Sequence, residues 1–278
     1  MDLLEIFKAI ILGIVEGITE WLPVSSTGHM ILVDEFLQLN MSDAFKEMFL
    51  VVIQLGAIMA VVVLYWNKLF PFSFKKKPVI KKNILIMWVK IVIACIPAAI
   101  VGILWGDEID RLFYHYQFVA LALIIFGILF IVIENKNKHR RFKINSIAEI
   151  TYQAAIMIGL FQLIAAVFPG VSRSGATIIG AMLIGVSRSV ATEFTFFLAT
   201  PVMFGASLLK LVKFGFDFNA MEAVVLATGM VTAFVVSIFI IRFLTDYIKK
   251  HNFKIFGWYR ILLGTIVIIF FLVKSFIV

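Results

Sequence analysis

Residues 13–30, GIVEGITEWLPVSSTGHM, set two carboxylates, a proline, three consecutive hydroxyls and a histidine inside strongly apolar surroundings. Lipid-facing helix is not written this way, because an ionised carboxylate at membrane depth costs roughly 3 kcal/mol unless it finds a partner or a polar cavity. Glu16 and Glu20 stand four apart and share one helix face. Pro23 ends that helix and leaves backbone groups in need of partners. Ser25, Ser26 and Thr27 follow as N-cap candidates for a second helix, whose free N–H groups and positive dipole end suit an anion. His29, three residues after Ser26, can lie on the same face. Carboxylates before a break and anion-binding groups after it point to a site for a metal ion and a phosphate.

The rest of the chain supplies the solvent. With 278 residues, 62% hydrophobic and only 15% charged, and a mean hydropathy of +1.05, it reads as a polytopic membrane protein. Asp2 and Glu5 sit where a cleavable signal would carry basic residues, so the first hydrophobic stretch is expected to be kept. The single cysteine, Cys95, lies in an apolar run; it excludes an intrachain disulfide and reads as packing. The formal net charge of +8 sits in loops between hydrophobic segments. There it reads as topology, and no nucleic-acid partner is expected.

Segments 3–22 and 28–38 meet at Pro23, and the second is too short to span, so a re-entrant hairpin is expected. Spans follow at about 47–66, 84–105 with a kink at Pro97, and 117–134. A basic loop (Lys68, Lys75, Lys76, Lys77, Lys81, Lys82) follows the first, an acidic connection (Asp107, Glu108, Asp110) the second, and Lys136, Lys138, Arg140, Arg141 and Lys143 the third. From Tyr152 the pattern restarts. An apolar segment runs to Phe168, breaks at Pro169 and Gly170, and resumes through VSRSGAT to Val186; three further spans are expected at about 190–212, 222–244 and 257–275. A constant offset of 146 lays Gly13 on Gly159, Glu16 on Gln162, Pro23 on Pro169, Ser26 on Ser172 and Glu47 on Glu193.

The expected fold is therefore an all-α polytopic membrane protein with an inverted-topology repeat, each half one re-entrant helix hairpin plus three transmembrane helices. One membrane domain covers 1–278, with repeats at about 1–134 and 150–278. Three crossings per half is an odd number, so the second half runs upside down and the two broken segments meet near the midplane. Loops 67–83, 135–150 and 245–256 hold about fourteen Lys and Arg and are expected to be cytoplasmic. The first hairpin then enters from outside and the second from the cytoplasm.

Arg173 is the only cation in the second hairpin, with Ser172, Ser174 and Thr177 beside it as donors. A guanidinium at the positive end of a helix suits a phosphate, though it can also neutralise Glu16 or Glu20. Ser26 reads as an N-cap or as a nucleophile, with His29 or a glutamate as its base. Gln54, Glu47, Glu193 and Gln162 read as hydrogen-bonding partners between helices. A lipid-phosphate transporter fits the same architecture. It would need charge complementarity but not the hydroxyl, histidine and paired glutamates. A membrane scaffold is disfavoured by the cost of placing Glu16, Glu20 and Arg173 in the bilayer.

EGITEWLPVSSTGHM together with PGVSRSGATI closely resembles the undecaprenyl-diphosphate phosphatase, or bacitracin-resistance protein, family, and the resemblance runs through the QLGAIMAVV segment and the TEF around Glu193. It implies hydrolysis of undecaprenyl diphosphate to undecaprenyl phosphate and inorganic phosphate at the bacterial plasma membrane, recycling the carrier for peptidoglycan synthesis, with bacitracin resistance as the consequence. It also implies dependence on a divalent metal ion and a site open to the outer, periplasmic face. Carried over by motif, the acidic pair falls on Glu16 and Glu20, the serine–histidine pair on Ser26 and His29, and the arginine motif on Arg173 with Ser172 and Ser174. Glu16 and Glu20 would then hold Mg²⁺ or Ca²⁺. Ser25, Thr27, Ser172, Arg173 and Ser174 would hold phosphate, and Ser26 or a water activated by His29 or a glutamate would attack. The partners expected are a polyprenyl diphosphate and membrane lipids; a homodimer stays open.

Overall fold

The computed structural model describes residues 2–72, 79–215 and 217–277. Lys75, Lys76 and Lys77 of the expected basic loop lie outside the described residues. The first half runs α1 (Leu3–Thr19), α2 (Ser26–Phe36), α3 (Asp43–Leu64), the single turn α4 (Trp66–Leu69), α5 (Lys82–Phe113) and α6 (Tyr116–Lys136). The second runs α7 (Tyr152–Val167), α8 (Arg173–Leu183), α9 (Arg188–Phe214), α10 (Ala220–Lys250) and α11 (Lys254–Ile277). Six helices among the described residues (α3, α5, α6, α9, α10 and α11) are long and apolar enough to cross a membrane. The chain is all-helical and polytopic.

The remaining helices form two pairs. α1 has 17 residues and α7 has 16, while α2 and α8 have 11 each. At about 1.5 Å per residue, an 11-residue helix reaches about half of a hydrocarbon core of about 30 Å. Both pairs turn through the same backbone. Ser25 (φ 74°) and Ser172 (φ 69°) are the non-glycine residues with positive φ among the described residues, and each caps its helix by accepting from the N–H three residues on, Gly28 and Gly175. Such a φ on a residue with a Cβ costs about 1–3 kcal/mol, a strain that clusters at functional turns.

The caps correct one expected register. They pair Ser25 with Ser172, so the offset of 146 slips by one residue at Gly170, an extra turn residue with φ 92°. Ser26 thus falls opposite Arg173 and not opposite Ser172. The acidic connection Asp107, Glu108, Asp110 is also not a loop: it forms the last turns of α5, which runs on to Phe113. Pro97 and Pro201 lie inside α5 and α9.

Helix packing brings distant segments together. α1 lies against α10 and α7 against α5; α6 pairs with α11 and α3 with α9 and α10. Glycines permit the closest approaches. A Cβ at Gly56 would stand 2.0 Å from the Met230 carbonyl oxygen, and Gly127 and Gly257 would each meet the other's carbonyl at 2.7 Å. One consequence is that the two hairpin turns face each other in the interior, where Val24 and Trp21 share a core with Val171 and Ala176.

Candidate active site

The two turns are joined by one carboxylate. Glu20 is the C-cap of α1 and 8% exposed. Its Oε1 accepts from Arg173 Nη2 at 2.8 Å, and its Oε2 accepts from Ser26 Oγ at 3.1 Å. Ser26 and Arg173 are the first residues of α2 and α8, so equivalent positions of the two hairpins converge on the same side chain. The second turn also grips the backbone around Glu20. Ser174 Oγ donates to the Glu20 carbonyl at 3.2 Å, and Ser172 Oγ lies 3.1 Å from Ser174 Oγ. Arg173 Nη1 donates to the Thr195 carbonyl at 3.2 Å. Thr177 Oγ1, 2.9 Å from Thr195 Oγ1, fastens α8 to α9.

Glu16 lies one turn before Glu20, buried at 1% exposure, and its Oε1 has no hydrogen-bond partner. Gln162, its counterpart in the second half, is equally buried, and neither amide atom finds a hydrogen-bond partner. Orphaned polar atoms inside a protein are costly and call for a partner such as water or an ion. Among the described residues no group of three or more His, Cys, Asp or Glu assembles. Hard oxygen donors at Glu16 and Glu20 nonetheless suit Mg²⁺ or Ca²⁺, which complete their shells with water and substrate oxygens.

The other expected site residues divide. His29 does not reach Ser26. Its Nδ1 lies 2.7 Å from the Ser25 carbonyl and its Nε2 2.7 Å from the Tyr259 hydroxyl, with the two rings stacked. Of the two bases considered for Ser26, the structure pairs it with the glutamate. Ser25, and neither Ser26 nor Thr27, is the helix cap; Thr27 is half-buried in the first turn of α2. Glu193 pairs with Lys68 at 2.8 Å and Glu47 with Lys210 at 3.6 Å, away from the turns. Cys95 packs half-buried, its Sγ 4.0 Å from the Leu198 carbonyl.

Arg260 was absent from the sequence reading. It is fully buried on α11, and its guanidinium donates to the carbonyls of Pro23 at 3.3 Å, Gly170 at 2.9 Å and Val171 at 2.8 Å. One cation thereby satisfies both turns. The signal was present: an arginine inside the apolar run 257–275 requires a buried partner. Tyr259 and Thr195 carried no such signal.

A match to the family described as bacitracin resistance protein BacA covers residues 9–266. The chain belongs to this family. It is similar over its full length to an undecaprenyl-diphosphatase of Desulfitobacterium hafniense, 65% identical over 277 residues and covering 100% of each chain. Undecaprenyl-diphosphatase 1 of Clostridium acetobutylicum is 65% identical over 273 residues, 98% of this chain and 100% of that one. An undecaprenyl-diphosphatase of Enterococcus faecalis is 60% identical over 271 residues, 97% and 98% of the two chains. Glu20, Ser26 and Arg173 all lie within the matched span.

Proposed function

We propose that the protein is an integral membrane phosphatase that hydrolyses undecaprenyl diphosphate to undecaprenyl phosphate and inorganic phosphate in the bacterial plasma membrane. This recycles the lipid carrier for cell-wall synthesis and confers resistance to bacitracin, the property for which the family is named. The observation that carries the reading is the Ser26–Glu20–Arg173 chain. It sets a hydroxyl, a proton acceptor and a phosphate-binding cation within hydrogen-bond reach of one another.

In the resting geometry Arg173 holds Glu20. A diphosphate offers Arg173 several charged oxygens in the fork geometry guanidinium prefers, and the positive dipole ends of α2 and α8, begun by Ser26 and Arg173, lie at the same place. Substrate thereby draws Arg173 away and leaves Glu20 to accept the Ser26 proton. Ser26 Oγ bonds to the terminal phosphorus while the bridging oxygen leaves as lipid phosphate, and water then releases inorganic phosphate from Ser26 with Glu20 returning the proton. Glu16 and Glu20 would hold the divalent ion, which supplies charge neutralisation for the phosphate oxygens. His29 is a positioning residue, fixing the first turn of α2 to α11 through Tyr259.

The architecture fits an inverted repeat. Exchanging the halves exchanges α1 against α10 with α7 against α5, a pairing present in both copies. Ion pairs gather at two ends: Glu35 with Lys274 and Asp107 with Lys213 at one, Glu193 with Lys68 and Glu134 with Arg188 at the other. The free end of α2 carries Glu35, and the last turn of α8 receives Arg140 at the Leu183 carbonyl. These ties support hairpins entering from opposite faces, and with the basic loops inside, a site open to the outer face. A groove of about 380 Å³ beside the second turn, lined by Phe113, Phe118, Phe168, Pro169 and Val171, suits the polyprenyl tail in that leaflet.

The test is phosphate release from a polyprenyl diphosphate by purified protein in detergent, with Mg²⁺ or Ca²⁺, with EDTA, and with Arg173→Ala beside wild type. Metal-dependent release lost in the variant is expected. No release from folded wild type would return the site to the transporter reading.

A further inference from the structure

The reaction leaves unused a basic cavity of about 290 Å³ at the opposite end from Glu35 and Lys274, lined by Glu134, Lys138, Arg188, Lys249, Lys250 and Lys254. Its one carboxylate is spent. Glu134 is 2% exposed and accepts from Arg188 Nε at 2.9 Å and from the Phe253 N–H at 2.9 Å. Lys249 is paired with Asp246 at 2.8 Å, whereas Lys138, Lys250 and Lys254 form no salt bridge among the described residues. Lysines at the end of α10 complement its dipole, but Lys254 opens α11, whose first turn contains no acidic residue. A cation there is placed against the helix field. The wall therefore carries three lysines, Lys138, Lys250 and Lys254, that no carboxylate pairs among the described residues.

An apolar space lies beside the charges. A groove of about 420 Å³, lined by Leu22, Val24, Phe243, Tyr247, Ile255 and Phe256, runs between α1, α10 and α11 and reaches His29. The two spaces have neighbouring walls. Tyr247 lines the groove and stacks at 4.5 Å on His251, which lines the cavity, while Ile255 and Lys254 line one each as neighbours in the chain. An apolar trough leading into a basic basin matches a lipid with a phosphate headgroup. The corresponding groove beside the second turn leads instead toward the end of α5, where Asp107, Glu108 and Asp110 lie. Of these two grooves, it is the one at the first turn that lies beside cations.

We propose that this basin and groove together bind a phosphate-bearing lipid from the leaflet on the side of the basic loops, phosphate against Lys250 and Lys254 and chains against Tyr247 and Phe256. The headgroup end of the site, at Lys250 and Lys254, shares no residue with Glu20 and Arg173, and the proposal stands whatever reaction those residues perform. Phosphate chemistry is shared by an anionic lipid headgroup and by free inorganic phosphate; the adjoining trough favours the lipid.

The test uses full-length protein in neutral detergent, titrated calorimetrically with short-chain phosphatidylglycerol, short-chain phosphatidylcholine and inorganic phosphate. Saturable binding of phosphatidylglycerol is expected, about tenfold tighter than phosphatidylcholine and weakened about tenfold by the pair Lys250→Gln and Lys254→Gln. Arg173→Ala, and Lys81→Gln with Lys82→Gln as an equal loss of charge elsewhere, should leave it intact. Inorganic phosphate binding as tightly as the lipid would overturn the lipid assignment. Absence of selectivity over phosphatidylcholine, or equal loss in the Lys81 and Lys82 pair, would overturn the site.

Discussion

At the scale of single residues, Glu20 is the joint of the molecule. Each of its oxygens is engaged by the first helical residue of a different hairpin, so its two neighbours act as one unit with it. Residues acting as a unit are strongly non-additive. Replacing Ser26 by Ala should lower kcat by about 10³-fold or more with little change in KM if the proposed attack by its hydroxyl holds. Glu20→Gln should lose a comparable amount, and the double variant little beyond either single one. Single-turnover phosphate release from the three proteins measures this; a loss of only a few-fold in Ser26→Ala would make water the attacking group. His29 behaves differently, since its nitrogens serve Ser25 and Tyr259. His29→Gln, which keeps a hydrogen-bonding side chain, should retain more activity than Ser26→Ala in the same assay.

At the scale of helices, the turns are held by what lies beneath them. Arg260 stands under both, and its replacement by Met would leave the carbonyls of Pro23, Gly170 and Val171 without their donor in a buried setting. Each unsatisfied buried group costs about 1–3 kcal/mol, so Arg260→Met should lower the folding free energy by about 3 kcal/mol or more. Thermal unfolding in detergent, with Arg260→Lys as the partial rescue, reads this out. The helix crossings depend on absent side chains. Gly56→Ala would drive a Cβ to 2.0 Å from the Met230 carbonyl, forcing α3 from α10 at about 1–3 kcal/mol. Gly102→Ala, where a Cβ meets nothing within 4 Å, should be neutral or stabilising in the same melt. Neither contrast is visible in one sequence, because every glycine in an apolar run looks alike there.

At the scale of the whole chain, what the sequence revealed and what it concealed have separate physical causes. Polar residues in apolar runs are expensive, so Glu16, Glu20, Ser26 and Arg173 stood out at once, as did the six long apolar helices. Contacts between residues far apart in the chain leave no local trace. Tyr259 meeting His29 across 230 positions, and Arg260 meeting Pro23 across 237, came only from the fold. The register slip at Gly170 was hidden for another reason: an extra glycine with positive φ preserves the turn while shifting the count. Topology lies between these cases, since charge bias and ion pairs both report on it without naming a face. If the halves are inverted, the Asp107 end of α5 and the Lys250 end of α10 lie on opposite sides of the membrane, as do the Glu35 end of α2 and the Leu183 end of α8. Single cysteines at Asp107 and at Lys138, in a Cys95→Ala background, should label with a membrane-impermeant thiol reagent from outside and only after permeabilisation, respectively. A cysteine at Glu35 should follow the first and one at Arg140 the second. Labelling of Glu35 and Arg140 from the same side would place both hairpins on one face, and the two halves would then be parallel repeats with no midplane meeting of their turns.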